Sequence, residues 1–102
     1  MTQDQWAKLT LAQQFGNIGS ELTRARLWEE KNDFSQREKS FERAFDLIDL
    51  TIGDRRWIKR LAEITRFREV IADWFSRSKE YKITSSQIEN YCIHMTLKPY
   101  RG

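Results

Sequence analysis

Arg55, Arg56, Lys59 and Arg60 crowd one short stretch, with Trp57 among them. Cations beside an indole can hold phosphates while the ring stacks on a base, so this segment is a candidate nucleic-acid contact. It falls at the predicted start of a helix, where the macrodipole disfavours positive charge, so local helix stability does not account for it. Two plainer readings stand beside that one. The cations can pair with acidic residues or sit in solvent, and Trp57 can enter the core.

A second group is acidic. Asp46 and Asp49 lie three apart, on one side of a helix, and Glu69 and Asp73 follow on the next. Carboxylates facing one another across helices can hold magnesium, as in all-helical nucleotide pyrophosphohydrolases. Those enzymes carry Glu-x-x-Glu on one helix and Glu-x-x-Asp on another, and the first half of that pattern is missing here. A structural ion pair is the simpler use of Asp49, with Arg68 as its first partner; Glu21 and Arg24 are further ion-pair candidates. Counting outward from Gly53 as a hairpin apex, however, puts Asp49 near Trp57 and Arg68 nearer Glu38, at 1.5 Å of rise per residue. Arg24 or Arg26 then competes for Asp49, and Glu38, Glu42 or Glu21 for Arg68. The narrower expectation is that Arg68 is at least partly buried and bonded to a carboxylate.

His94 and Cys92 are the only histidine and cysteine. The Arg-x4–6-His motif of HEPN-type ribonucleases is absent, because the nearest arginine upstream of His94 is Arg77. Cys92 shares an apolar stripe with Ile88 and Met95 and reads as a small core residue. One cysteine excludes an internal disulfide and fits a reducing cytoplasm. No phosphate loop or serine-nucleophile motif occurs, and no cofactor is expected.

The elements that position these residues read as helices. Phe41, Ala44, Phe45, Ile48 and Ile52 form the most coherent apolar stripe, widened by Leu47 and Leu50 until little of the helix is left for solvent. That helix, about 36–52, is taken as the centre of a bundle. It starts on a capping box, Ser35-Gln-Arg-Glu38, and stops at Gly53. A first helix spans 4–31, with a break available near Thr10, and carries Trp6, Leu9, Phe15, Ile18, Leu22, Ala25 and Trp28. Beside that stripe runs a row of small residues, Ala12, Gly16, Gly19 and Thr23, which suits either close helix approach or a kink. The third helix, about 55–77, is capped by Asp54 and presents Trp57, Ile58, Leu61, Ile64, Val70, Ile71, Trp74 and Phe75. A short last helix, 86–97, starts on Ser86-Gln-Ile-Glu89 and ends before Pro99.

The 102 residues therefore read as one domain, all-α, an antiparallel four-helix bundle of up-down-up-down topology with a short last helix. With 32% charged residues and only short apolar runs, no segment can span a bilayer. Charge is uneven. Residues 1–53 carry 7 Lys+Arg against 9 Asp+Glu, and residues 54–102 carry 11 against 6. Halves of opposite sign suit intramolecular pairing, head-to-tail association or an anionic partner.

Asn17–Glu21, Ala44–Ile52, Arg66–Val70 and Asp73–Phe75, taken in that order, resemble a family of small uncharacterised prokaryotic all-helical proteins. The resemblance covers about residues 15–76 and implies no established activity. It would make Glu21, Arg24, Asp46, Asp49, Arg66, Arg68 and Glu69 the matching polar positions. A broader likeness to HEPN-type and antitoxin-like bundles is one of architecture. The function expected from all this is a non-enzymatic, cytoplasmic protein-interaction module that binds itself as a homodimer or another protein. Nucleic-acid binding at residues 55–60 and a metal-dependent nucleotide hydrolase are the alternatives.

Overall fold

Two Thr-x-x-Gln capping boxes open the chain, and each starts a helix. A computed structural model describes residues 1–76, all of whose regular elements are helical. The expected helix 86–97, with Cys92 and His94, lies outside the described residues. Thr2 caps α1 (Gln3–Trp6) and Thr10 caps α2 (Leu11–Glu30). In both, the threonine hydroxyl accepts the amide of the glutamine three residues on, and that glutamine's side-chain oxygen accepts the threonine amide. The break near Thr10 thus separates two helices.

α2 ends in a Schellman motif. The Asp33 amide donates to the Trp28 carbonyl and the Asn32 amide to that of Glu29, with Asn32 left-handed at φ 58°. Asparagine tolerates that conformation better than other non-glycine residues. The same motif fixes Asp33 at the head of α3 (Phe34–Ile52), where its carboxylate accepts the Gln36 amide. The expected Ser35–Glu38 box is therefore corrected. Asp33 is the cap, and Ser35 lies inside the first turn.

Gly53 closes α3 with right-handed angles, φ −75° and ψ −6°, so its tolerance of positive φ is not used. A Cβ there would come within 2.9 Å of the Gln3 Oε1, the end of a flexible side chain. The next helix does not begin at once. Asp54 caps a 3₁₀ segment, Arg55–Arg60, in which Trp57 leaves helical geometry at φ −102° and ψ 18°. α4 (Leu61–Ser76) follows, six residues later than expected.

Each helix buries residues at alternating spacings of three and four. On α2 these are Leu11, Phe15, Ile18, Leu22 and Ala25; on α3, Phe41, Ala44 and Ile48; on α4, Ile64, Phe67 and Ile71. Trp6 from α1 and Trp57 from the 3₁₀ segment complete the core. The sequence stripe passed over Phe67, whose ring lies 5.5 Å from that of Phe15. It also assigned Ile58 and Leu61 to the interior, and both are exposed. α3 keeps a full polar face as well, with Glu38, Glu42, Asp46 and Asp49 in solvent. Partners run in opposite order along neighbouring helices. Glu29 and Glu21 of α2 meet Arg37 and Arg43 of α3, and Phe41 and Asp49 of α3 meet Trp74 and Arg68 of α4.

Candidate functional site

The corner between α3 and α4 is built on a fully buried amide. Gln14 sits among Leu11, Phe15 and Ile18 on the apolar side of α2. Its Nε2 donates to the Trp6 carbonyl at 2.9 Å and to Asp54 Oδ2 at 3.1 Å, while its Oε1 accepts the Trp57 indole at 2.9 Å. Three separate stretches of chain are thus joined through one side chain. Trp6 adds a fourth tie by donating its indole to Thr51 Oγ1 at 2.9 Å. Among the described residues no buried side-chain nitrogen or oxygen is left without a partner.

Asp54 is the charged member. It is 6% exposed and accepts from Gln14 and from the Arg56 amide and guanidinium, the closest contact being 2.6 Å to Nη2. Burial pushes its carboxyl up, but the hydrogen bonds from Arg56 and Gln14 and the charge of Arg56 outweigh that and hold it below the ordinary range. In return the Asp54 hydrogen bond holds the Arg56 guanidinium still more firmly protonated. Arg56 also donates to the Leu9 carbonyl at 2.7 Å and lies 4.5 Å above the Trp57 ring. A carboxylate so engaged is an anchor, not a general base.

The candidate phosphate-binding set therefore divides. Trp57 is 5% exposed and bonded to Gln14, so it cannot stack on a base. Arg56 holds the corner, and Arg60 pairs with Glu63 at 3.0 Å. Arg55 and Lys59 point to solvent without an ion-pair partner among the described residues, flanking Ile58, which is 69% exposed.

Asp49 and Arg68 do meet, at 2.7 Å between Oδ1 and Nε, with Asp49 exposed and Arg68 partly buried, so the narrower expectation for Arg68 holds. Counting from Gly53 had argued against the pair because it treated the link as a tight hairpin. The 3₁₀ segment instead delays α4 to Leu61 and brings Arg68 within reach. Glu21 takes Arg24 at 2.7 Å and Arg43 at 2.9 Å. Glu21, Arg43, Asp46 and Asp49 line an open groove of about 500 Å³ between α2 and α3, with Met1, Leu47 and Leu50 as apolar lining. Glu69 and Asp73 are not part of it. Among the described residues no three acidic, histidine or cysteine side chains gather closely enough to hold a metal ion.

Sequence reasoning missed the most consequential polar residue, Arg37. It is 4% exposed, bonds Glu29 at 2.8 Å, and donates to the carbonyls of Trp74 and Phe75 at the end of α4. Its guanidinium also covers the Phe41 ring at 4.6 Å. The available signal was its place four residues before Phe41, in step with the buried stripe.

No family model matches the chain, and no similar curated protein or solved structure is found.

Proposed function

We propose that the chain is a non-enzymatic, cytoplasmic interaction module that acts as a homodimer, its helices antiparallel in an up-down arrangement. The opposite order of partners along α2, α3 and α4 supports the arrangement. A single cysteine fits a reducing compartment, and no described helix is long and apolar enough to cross a membrane. Kinship to the small prokaryotic helical family belongs to the same reading and brings no activity with it.

The observation that carries the binding role is the outer face of the corner. A lone exposed apolar side chain is ordinary on a protein surface. Here Ile58 and Leu61 are exposed together, at 69% and 38%, and Ile58 stands between Arg55 and Lys59, which have no ion-pair partner among the described residues. The buried network behind them holds the segment in one conformation, which lowers the entropy cost of binding. Nucleic-acid binding is the second reading. It now rests on Arg55 and Lys59, so it expects a shallow salt dependence, of about two phosphates. Light scattering behind size exclusion, run with and without RNA or DNA at low salt, tests both. A mass that rises with protein concentration supports the module. A fixed monomer without nucleic acid contradicts it, and a nucleic-acid complex sensitive to Arg55→Glu favours the second reading.

A further inference from the structure

On the basis of the dimer reading, we propose that the partner of the Ile58 corner is the α2–α3 groove of a second copy, the contact being made twice about a two-fold axis. The two surfaces are complementary in kind. The corner offers a projecting apolar side chain between two cations, Arg55 and Lys59, that have no ion-pair partner among the described residues. The groove offers Leu47 and Leu50 beside Asp46, the one carboxylate of its lining without an ion-pair partner among the described residues. Glu21 is held by Arg24 and by Arg43 of the same lining, and Asp49 by Arg68. About 500 Å³ is ample for an isoleucine side chain and its neighbours.

The charges on each surface are poorly explained within one molecule. Asp46, in the groove lining, stands four residues after Glu42 on the exposed face of α3, a like-charge spacing that disfavours the helix. Neither has an ion-pair partner among the described residues. Arg55 likewise sits at the first position of its segment, where its charge gains nothing from the backbone. Both surfaces lie toward the same end of the chain's fold, because Gln3 of α1 bonds the Leu50 carbonyl beside the groove and α3 runs from there into the corner. A two-fold pairing can therefore place each corner in the other copy's groove, and reciprocal contacts of that kind close without growing into a chain.

Charge exchange tests this. Asp46→Lys and Lys59→Glu each alter an exposed residue outside the buried network, and circular dichroism melts confirm that they fold. Each variant alone should dimerise roughly tenfold or more weakly, because like charges then face each other twice. An equal mixture of the two should recover the wild-type affinity, as should the double variant Asp46→Lys/Lys59→Glu, since every contact again joins opposite charges. Single variants that dimerise like the wild type would overturn this interface while leaving the homodimer standing. Weakened variants that the mixture fails to rescue would overturn the pairing of these two surfaces. A wild-type monomer at high micromolar concentration would overturn both the interface and the homodimer. Assembly of the wild type beyond a dimer would overturn the two-fold arrangement.

Discussion

Arg37 and Arg68 both bond a carboxylate and both lie over an aromatic ring, yet they should differ sharply when removed. Arg37 is almost wholly buried and also satisfies two carbonyls at the end of α4. Arg37→Ala should cost about 3 kcal/mol in urea unfolding, because it strands those groups in the interior. The Arg68 pair is exposed and screened, so Arg68→Ala should cost less than about 1 kcal/mol. Equal midpoints for the two variants would contradict this ranking. Asp54 makes a separate prediction. Its folded-state carboxyl lies below the ordinary 3.8, so the unfolded chain binds the proton more readily. The stabilisation is complete above that value and is lost as pH falls below it, towards the lower folded-state value. Acid unfolding curves should show this loss, and Asp54→Asn should be less stable near neutrality with a shallower acid dependence. An identical acid profile in Asp54→Asn would exclude that role.

At the scale of the elements, caps decide the boundaries. Asp33→Ala should cost about 1 kcal/mol, whereas Ser35→Ala should change stability little. A larger effect at Ser35 would restore the Ser35–Glu38 box. Much of this level was legible in the sequence. The stripes on α2 and α3 were read in large part, because apolar spacing repeats over many residues there, and so was the break near Thr10. Leu11 was passed over, and the width assigned to the α3 stripe was too great, since that helix keeps a full polar face. The 3₁₀ segment was not legible. Its residues, Arg-Arg-Trp-Ile-Lys-Arg, continue the helical pattern, and only burial of Trp57 against Gln14 turns the chain and throws Ile58 outward. The candidate site followed the same division. The cations at 55–60 were visible, but their separation into anchors and free charges depends on Asp54 and Glu63. The spacing of three between Arg60 and Glu63 was a signal, whereas the contact of Asp54 with Arg56, two residues on, follows no helical spacing. Gln14 and Arg37 were hidden for a related reason. A polar residue on an apolar stripe becomes informative only when the groups it satisfies are known.

For the whole molecule, the opposite charges of the two halves are used partly within the fold. Glu21 holds Arg43 in the first half, and Asp49 reaches across to Arg68 in the second. Arg55 and Lys59 on one side and Asp46 on the other are among the exposed charges without an ion-pair partner among the described residues, and they are the ones the proposed interface uses. The central claim is that the exposed Ile58 corner binds a second copy. Sedimentation equilibrium of the wild type beside Ile58→Asp, from low to high micromolar concentration, tests it most directly. Ile58 is too exposed for its replacement to disturb the core, so the variant isolates the surface. The wild-type mass should rise with concentration from 12.3 kDa towards twice that value, while Ile58→Asp stays at the monomer mass. Coincident curves for the two proteins, whether both monomeric or both associating, would contradict it.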